Sequence, residues 1–102
     1  MAKKLFISQP MNGLSEEEIR KARDLAVEIV KERVNDEIEL IDTIFPDFPK
    51  TGSVPLKFLS RALDKMAEAD IAFFGEGWET ARGCKIEHEA ALQYGIDVIH
   101  YR

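Results

Sequence analysis

The residues whose types and spacing could do chemistry gather between positions 70 and 101, DIAFFGEGWETARGCKIEHEAALQYGIDVIHY. Ile86, Ala90, Ala91 and Tyr94 recur at helical spacing as one apolar stripe, and Glu87 falls inside it. A carboxylate on the inward face of a helix, in its first turns, has a fixed direction. It can attack an electrophile, stabilise a developing cation or, with a raised pKa, carry a proton. Upstream, Gly75, Gly77 and Gly83 bracket Trp78, Glu79 and Arg82, so backbone can approach a ligand closely while large polar side chains converge on it. Cys84 and His88 stand four apart on the same helix, a spacing that allows a thiolate–imidazole pair, although nothing else in the chain supplies its orienting group. With the distant His100 they fall short of a recognised metal-ligand spacing, so no metal site and no cofactor are expected.

Elements must hold these residues in place. Residues 71–74, IAFF, suit a strand buried on both faces; the helix carrying Glu87 ends at Gly95, a C′ residue, and residues 98–101 form the next strand. Earlier, residues 5–8 read as a strand that leaves through the turn Gln9-Pro10-Met11-Asn12-Gly13. Ser15 and Glu18 have capping-box spacing, and Ile19, Ala22, Leu25, Ala26, Ile29 and Val30 predict a covering helix over about residues 15–34. Residues 38–41 form a second strand ending at Asp42. The connection over residues 43–54, TIFPDFPKTGSV, is too irregular for a regular element and reads as a binding loop or a lid. Pro55 fits the first position of a further helix with Leu56, Leu59, Ala62, Leu63 and Met66 on its buried face.

The order β-α-β-α-β-α-β predicts one small three-layer α/β/α domain over residues 1–102, with a parallel sheet of four strands in the order 2-1-3-4. The switch point then lies between the first and third strands, and ligands bind outside the carboxyl ends there. Residues 8–13, 42–47 and 75–87 meet at that point, and they hold most of the unusual side chains. A chain of 102 residues has one core. No apolar run reaches the roughly 18 residues of a membrane span. The N-terminus MAKKLFIS lacks the pattern of a signal peptide, and a single cysteine agrees with a reducing compartment, so a cytoplasmic protein is expected. A net charge of -5, with both signs mixed on the same helices, argues against polymeric nucleic acid as a partner; a small anionic ligand bound locally stays open.

The combination ISQPMNG after the first strand, ADIAFFGEGWE on the third and ARGCKIEHEAALQYGI over the following helix resembles a family of small uncharacterised bacterial and phage proteins. Through the strand beginning with Asp70 and the Gly-x3-Glu of Gly83 and Glu87, the chain also resembles the nucleoside 2-deoxyribosyltransferases and the deoxynucleoside 5′-monophosphate N-glycosidases. The resemblance implies a flavodoxin-like fold, cleavage of an N-glycosidic bond, and a homo-oligomer whose neighbouring subunit closes each site. It places Glu87 as the nucleophile and Asp70 near the base. The transferases carry a further aspartate six residues before the glutamate, where this chain has Ala81.

Breaking a deoxyribose C1′–N bond builds positive charge on the sugar, which a carboxylate beneath it can stabilise or capture as a glycosyl ester. Glu87 fits that role, and Asp70, Glu79, Asp42 and Asp47 are the candidates to protonate the leaving base. Trp78 offers a face on which a base can stack. Ser8, Gln9, Asn12 and Gly13 line the turn where a sugar hydroxyl or 5′-phosphate would sit, and Arg82 could pair with that phosphate. Structural readings stand beside each of these. Glu87 could be a partly buried acid paired with Arg82 or Lys85, Trp78 a packing residue, Asp70 the polar start of a strand, and residues 9–13 only a turn. Two functions follow: an N-glycosidase or deoxyribosyltransferase, and an inactive nucleotide-binding or sensor module on the same fold.

Overall fold

The computed structural model describes residues 2–10, 13–43 and 51–101. Four parallel strands, β1 (Lys3–Ser8), β2 (Ile38–Leu40), β3 (Ile71–Phe74) and β4 (Asp97–His100), form one sheet in the order β2-β1-β3-β4. Helix α1 (Glu16–Val34) follows β1, α2 (Val54–Met66) follows β2, and α3 (Arg82–Gln93) joins β3 to β4 after a one-turn 3₁₀ segment, Trp78–Thr80. This is the three-layer α/β/α arrangement that the sequence predicts, with the same strand order.

Strand alternation sorts the core into two layers. Leu5 and Ile7 of β1 and Ile71 and Phe73 of β3 point to one face, where Ala26 and Val30 of α1 cover them. Phe6, Ala72 and Phe74 point to the other, against Ala62 and Met66 of α2 and Ala91 of α3. Ser8 has the parity of Phe6, so its side chain also faces the α2/α3 layer. In register, Leu5 to Ser8 pair with Ile71 to Phe74, and the Gly75 amide donates to the Ser8 carbonyl at 2.8 Å, which carries the pairing one residue past both strands.

The ends of α1 form as expected. The Ser15 hydroxyl accepts from the Glu18 amide and the Glu18 carboxylate from the Ser15 amide, each at 3.1 Å, a reciprocal capping box. Helix α2 begins one residue earlier than Pro55. Ser53 is its N-cap, accepting from the Leu56 amide, and Pro55 takes the second helical position. Gly95, at φ 74°, ends α3: the Ile96 amide reaches the Ala91 carbonyl at 2.9 Å, a Schellman closure that an L side chain at position 95 would strain.

Expected faces on all three helices are corrected. Ile86 and Tyr94 are 43% and 86% exposed, while Cys84, Glu87 and Ala91 are buried. Helix α3 therefore packs through the narrow seam of Cys84, Glu87 and Ala91, and the bulky side chains beside it face outward. Leu56 and Leu25, expected in the helical cores, are likewise exposed. The stripes are wider than the surface the sheet presents to them.

Candidate functional site

At the carboxyl ends of β1 and β3, where the strand order reverses, a cavity of about 510 Å³ opens between the sheet, α2 and the first turns of α3. That size suits a small organic ligand. Ser8 lines it from the end of β1, Gln9 and Pro10 from just after that strand, Thr43 from the segment after β2, and Arg82, Gly83, Cys84 and Glu87 from α3. Val54, Pro55, Phe58, Leu59 and Ala62 of α2 form an apolar wall opposite.

Glu87 is the centre of its chemistry. Its side chain is buried, and its Oε1 accepts a hydrogen bond of 2.8 Å from the Ser8 hydroxyl. The two residues lie 79 positions apart and meet because the Ser8 side chain faces the layer that holds α3. Burial disfavours the charged form and lifts the Glu87 pKa from 4.5 to about 7; the Ser8 hydroxyl, donating to the carboxylate, pulls the other way. Near neutrality the group is divided between carboxylate and acid. It can attack or accept a proton in one form and donate one in the other.

Cys84, one turn earlier, lines the same cavity. Burial pushes its thiol pKa up, the Ser8 hydroxyl opposes that, and the Glu87 charge adds to it. The thiolate–imidazole pair is corrected: the cysteine is a buried thiol, and His88 turns instead to His100.

Gln9 contributes a different signal. Its Nε2 is buried and finds no hydrogen-bond partner among the described residues, and its Cβ and Oε1 press against Gly75 so closely that a methyl group on residue 75 would sit 2.8 Å and 3.0 Å from them. A buried unpaired amide costs about 1–3 kcal/mol. An acceptor on a ligand in the cavity would satisfy it. Arg82 is exposed at the rim, on the first turn of a helix whose N-cap, Ala81, provides no side-chain bond to the free amides. The rim is thus a cationic edge.

Several expected site residues lie elsewhere. Asp70 precedes β3, at the amino end of the sheet, where its Oδ2 accepts from the Lys4 amide at 2.8 Å and its own amide donates to the Lys4 carbonyl at 2.9 Å. Four residues of strand, about 13 Å, separate it from the cavity end, so Asp70 fastens β1 to β3 and does not reach the cavity of its own chain. Trp78 does not line the cavity. Its indole stacks on His88, with ring centroids 4.0 Å apart and planes at 17°, which makes it a packing residue between α3 and β4. Glu79 and Asp42 are exposed and outside the lining, as is Gly13, a turn residue at φ 82°. Asn12 and Asp47 lie outside the described residues.

Beyond the residues singled out above, the cavity is lined by Thr43, at the start of the connection expected to bind, and by one face of α2. Thr43 accepts a hydrogen bond from Arg23 of α1 and so ties the segment after β2 to that helix. The α2 wall follows from the spacing of Pro55, Phe58, Leu59 and Ala62, an i, i+3, i+4, i+7 stripe of which the expected buried face held Leu59 and Ala62 but not Phe58. Among the described residues no group of three or more histidines, cysteines and carboxylates could hold a metal ion. No helix among them is long and apolar enough to cross a membrane.

No protein-family model, no curated protein and no solved structure matches this chain.

Proposed function

We propose that the protein acts on deoxynucleosides or their 5′-monophosphates, cleaving the N-glycosidic bond or transferring the deoxyribosyl group, with Glu87 as the residue that meets the sugar. The observation that carries this reading is a buried carboxylate in a ligand-sized cavity at the switch point, held by a hydroxyl and titrating near neutrality. In the reaction the ionised Glu87 Oε attacks C1′ as the C1′–N bond breaks. The bond electrons leave with the base, which takes up a proton, and water or a second base then releases the sugar from the ester. Ser8 fixes the direction of the carboxylate, the Gln9 amide donates to an acceptor on the ligand, and Arg82 at the rim is the partner for a 5′-phosphate. The resemblance in sequence adds a homo-oligomer, and the exposed apolar side chains Leu56 and Ile86 flanking the cavity rim agree with a neighbouring subunit there; the single cysteine favours a cytoplasmic setting. No cofactor enters this chemistry.

One observation favours a second reading. Glu87 is the single carboxylate among the described residues that lines the cavity, and Ala81 stands where the transferases carry an aspartate. A pocket that has lost its partner acid would bind nucleotide without turning it over, as a sensor or regulatory module. The deciding experiment is a chromatographic assay with the common deoxynucleosides and deoxynucleoside 5′-monophosphates, with and without a second free base. Base release or exchange that falls about 10³-fold or more in Glu87→Ala is expected. Absence of turnover, with a nucleotide still raising the melting temperature, would transfer the site to the second reading.

A further inference from the structure

On the side of α3 away from the cavity, His88 and the last residue of β4, His100, meet ring to ring, with their Nε2 atoms 2.8 Å apart. The centroid separation of 5.1 Å equals that contact plus the two ring radii, so the rings face each other head to head. Two lone pairs repel at such a distance, and so do two N–H groups. One proton must therefore occupy the gap. The head-to-head geometry also fails for a shared metal ion, whose ligand lone pairs would have to converge from the side.

We propose that His88 and His100 form a proton-operated clamp between α3 and β4, closed with one proton in the gap and opened by a second. In the neutral pair one Nε2–H donates to the other Nε2, whose ring carries its proton on Nδ1. The first added proton goes to the free Nδ1 of the donor ring, leaving the gap proton in place and making the bond charge-assisted. The next would put N–H against N–H, and the rings must part. The pair accordingly takes up protons in two coupled steps, and only the second breaks the contact.

The surroundings set where those steps fall. From the 3₁₀ segment, Trp78 lies over both rings, at 4.0 Å and 5.4 Å with planes within 20°, and its π face favours the singly charged pair. From β3, Phe74 meets His88 edge-on at 4.8 Å and excludes water without adding charge. From α1, Arg33 donates to the His100 carbonyl at 2.8 Å, a fixed positive charge that resists the second proton. On α3 itself Glu89 attracts protons, but burial and the charge of His100 outweigh it and hold His88 below the usual histidine range. Opening thus falls on the acid side of the usual histidine range. It releases the end of β4 from the helix that carries Glu87.

Long-range ¹H–¹⁵N spectra of the imidazoles, recorded from pH 8 to pH 4, test the clamp, with fluorescence of Trp78, the single tryptophan, in parallel. The expected result is a through-bond Nε2–Nε2 coupling that persists through the first titration step and vanishes in the second, the two midpoints differing by more than about one pH unit. His100→Phe should collapse the behaviour of His88 to one step at higher pH than the second step of the unaltered pair. Absence of the coupling at pH 7.5, or two histidines titrating independently in single steps, overturns the proposal. The spectra of the unaltered chain decide it even where His100→Phe fails to fold.

Discussion

Glu87 is held in the fold against its own charge. Its pKa, raised from 4.5 to about 7 by burial, means that the folded chain binds a proton more tightly than the unfolded chain does between those values. The linked stability is fully present below about pH 4.5 and is lost as pH rises through 7. Glu87→Gln keeps an acceptor for Ser8 and removes the ionisation, so it should match the parent at pH 4 and exceed it by up to about 3 kcal/mol at pH 8. Urea midpoints at the two pH values check this, and an equal effect at both would show that Glu87 does not titrate as burial dictates. Gln9 makes an opposite pair of predictions. Gln9→Met retains an unbranched side chain of similar length and deletes the unpartnered amide, so the free protein should gain about 1 kcal/mol or more. If the amide serves a ligand, the same variant should weaken nucleotide binding about tenfold, read by calorimetry against the parent. At this scale the sequence was a partial guide. Glu87, Ser8, Gln9, Arg82 and Gly83 were recognisable because turn and helix-start positions at strand ends converge in any sheet of this topology. Asp70 was placed near the base by the resemblance alone, while the residues also allowed the polar start of a strand, and the partner it finds, the Lys4 backbone, fits that second reading.

Among the elements, the meeting of β1 and β3 decides the shape of the cavity. Gly75 stands where the two strands end side by side, with the Gln9 Cβ on the spot a side chain would need. That contact is with an atom next to the backbone, so it cannot swing aside. Gly75→Ala must push the two strand ends apart at a cost of about 1–3 kcal/mol. It should lower the denaturation midpoint and displace Gln9 from the cavity, giving a loss of ligand affinity greater than that of Gly83→Ala, whose added methyl meets open space. Strands, order and caps were legible because period, capping residues and connection length each point to one local answer. The face of α3 was not. Ile86 and Tyr94 are the bulkier part of the stripe, yet Ala91 packs with Phe74 and Ala72, Ala90 beside it is half-buried, and Cys84 and Glu87 are buried on the same helix, so the close approach of helix to sheet outweighs the larger side chains. Helical periodicity gives a stripe without saying which edge of it touches the neighbour.

The whole molecule has two cores and one sheet. Leu5, Ile7, Ile71 and Phe73 belong to the α1 layer while Phe6, Ala72 and Phe74 belong to the α2/α3 layer, and these residues alternate along the same two strands. Neither layer can lose its packing while the strands that carry it stay ordered for the other. The chain should therefore unfold as a single cooperative unit, as small domains usually do. Val30, fully buried on α1, tests this from the far side of the sheet. Val30→Ala removes two methyl groups at a cost of about 2 kcal/mol from lost burial and the space left behind. Trp78 packs in the opposite layer, touching Phe74, and reports only on that side. If the sheet couples the layers, the Trp78 fluorescence transition in urea shifts by the full amount and coincides with loss of the helical circular dichroism, with an unchanged slope. A Trp78 transition left in place while the circular dichroism moves would mean that the layer holding Glu87 stands without α1, and the cavity would then persist in a partly unfolded chain.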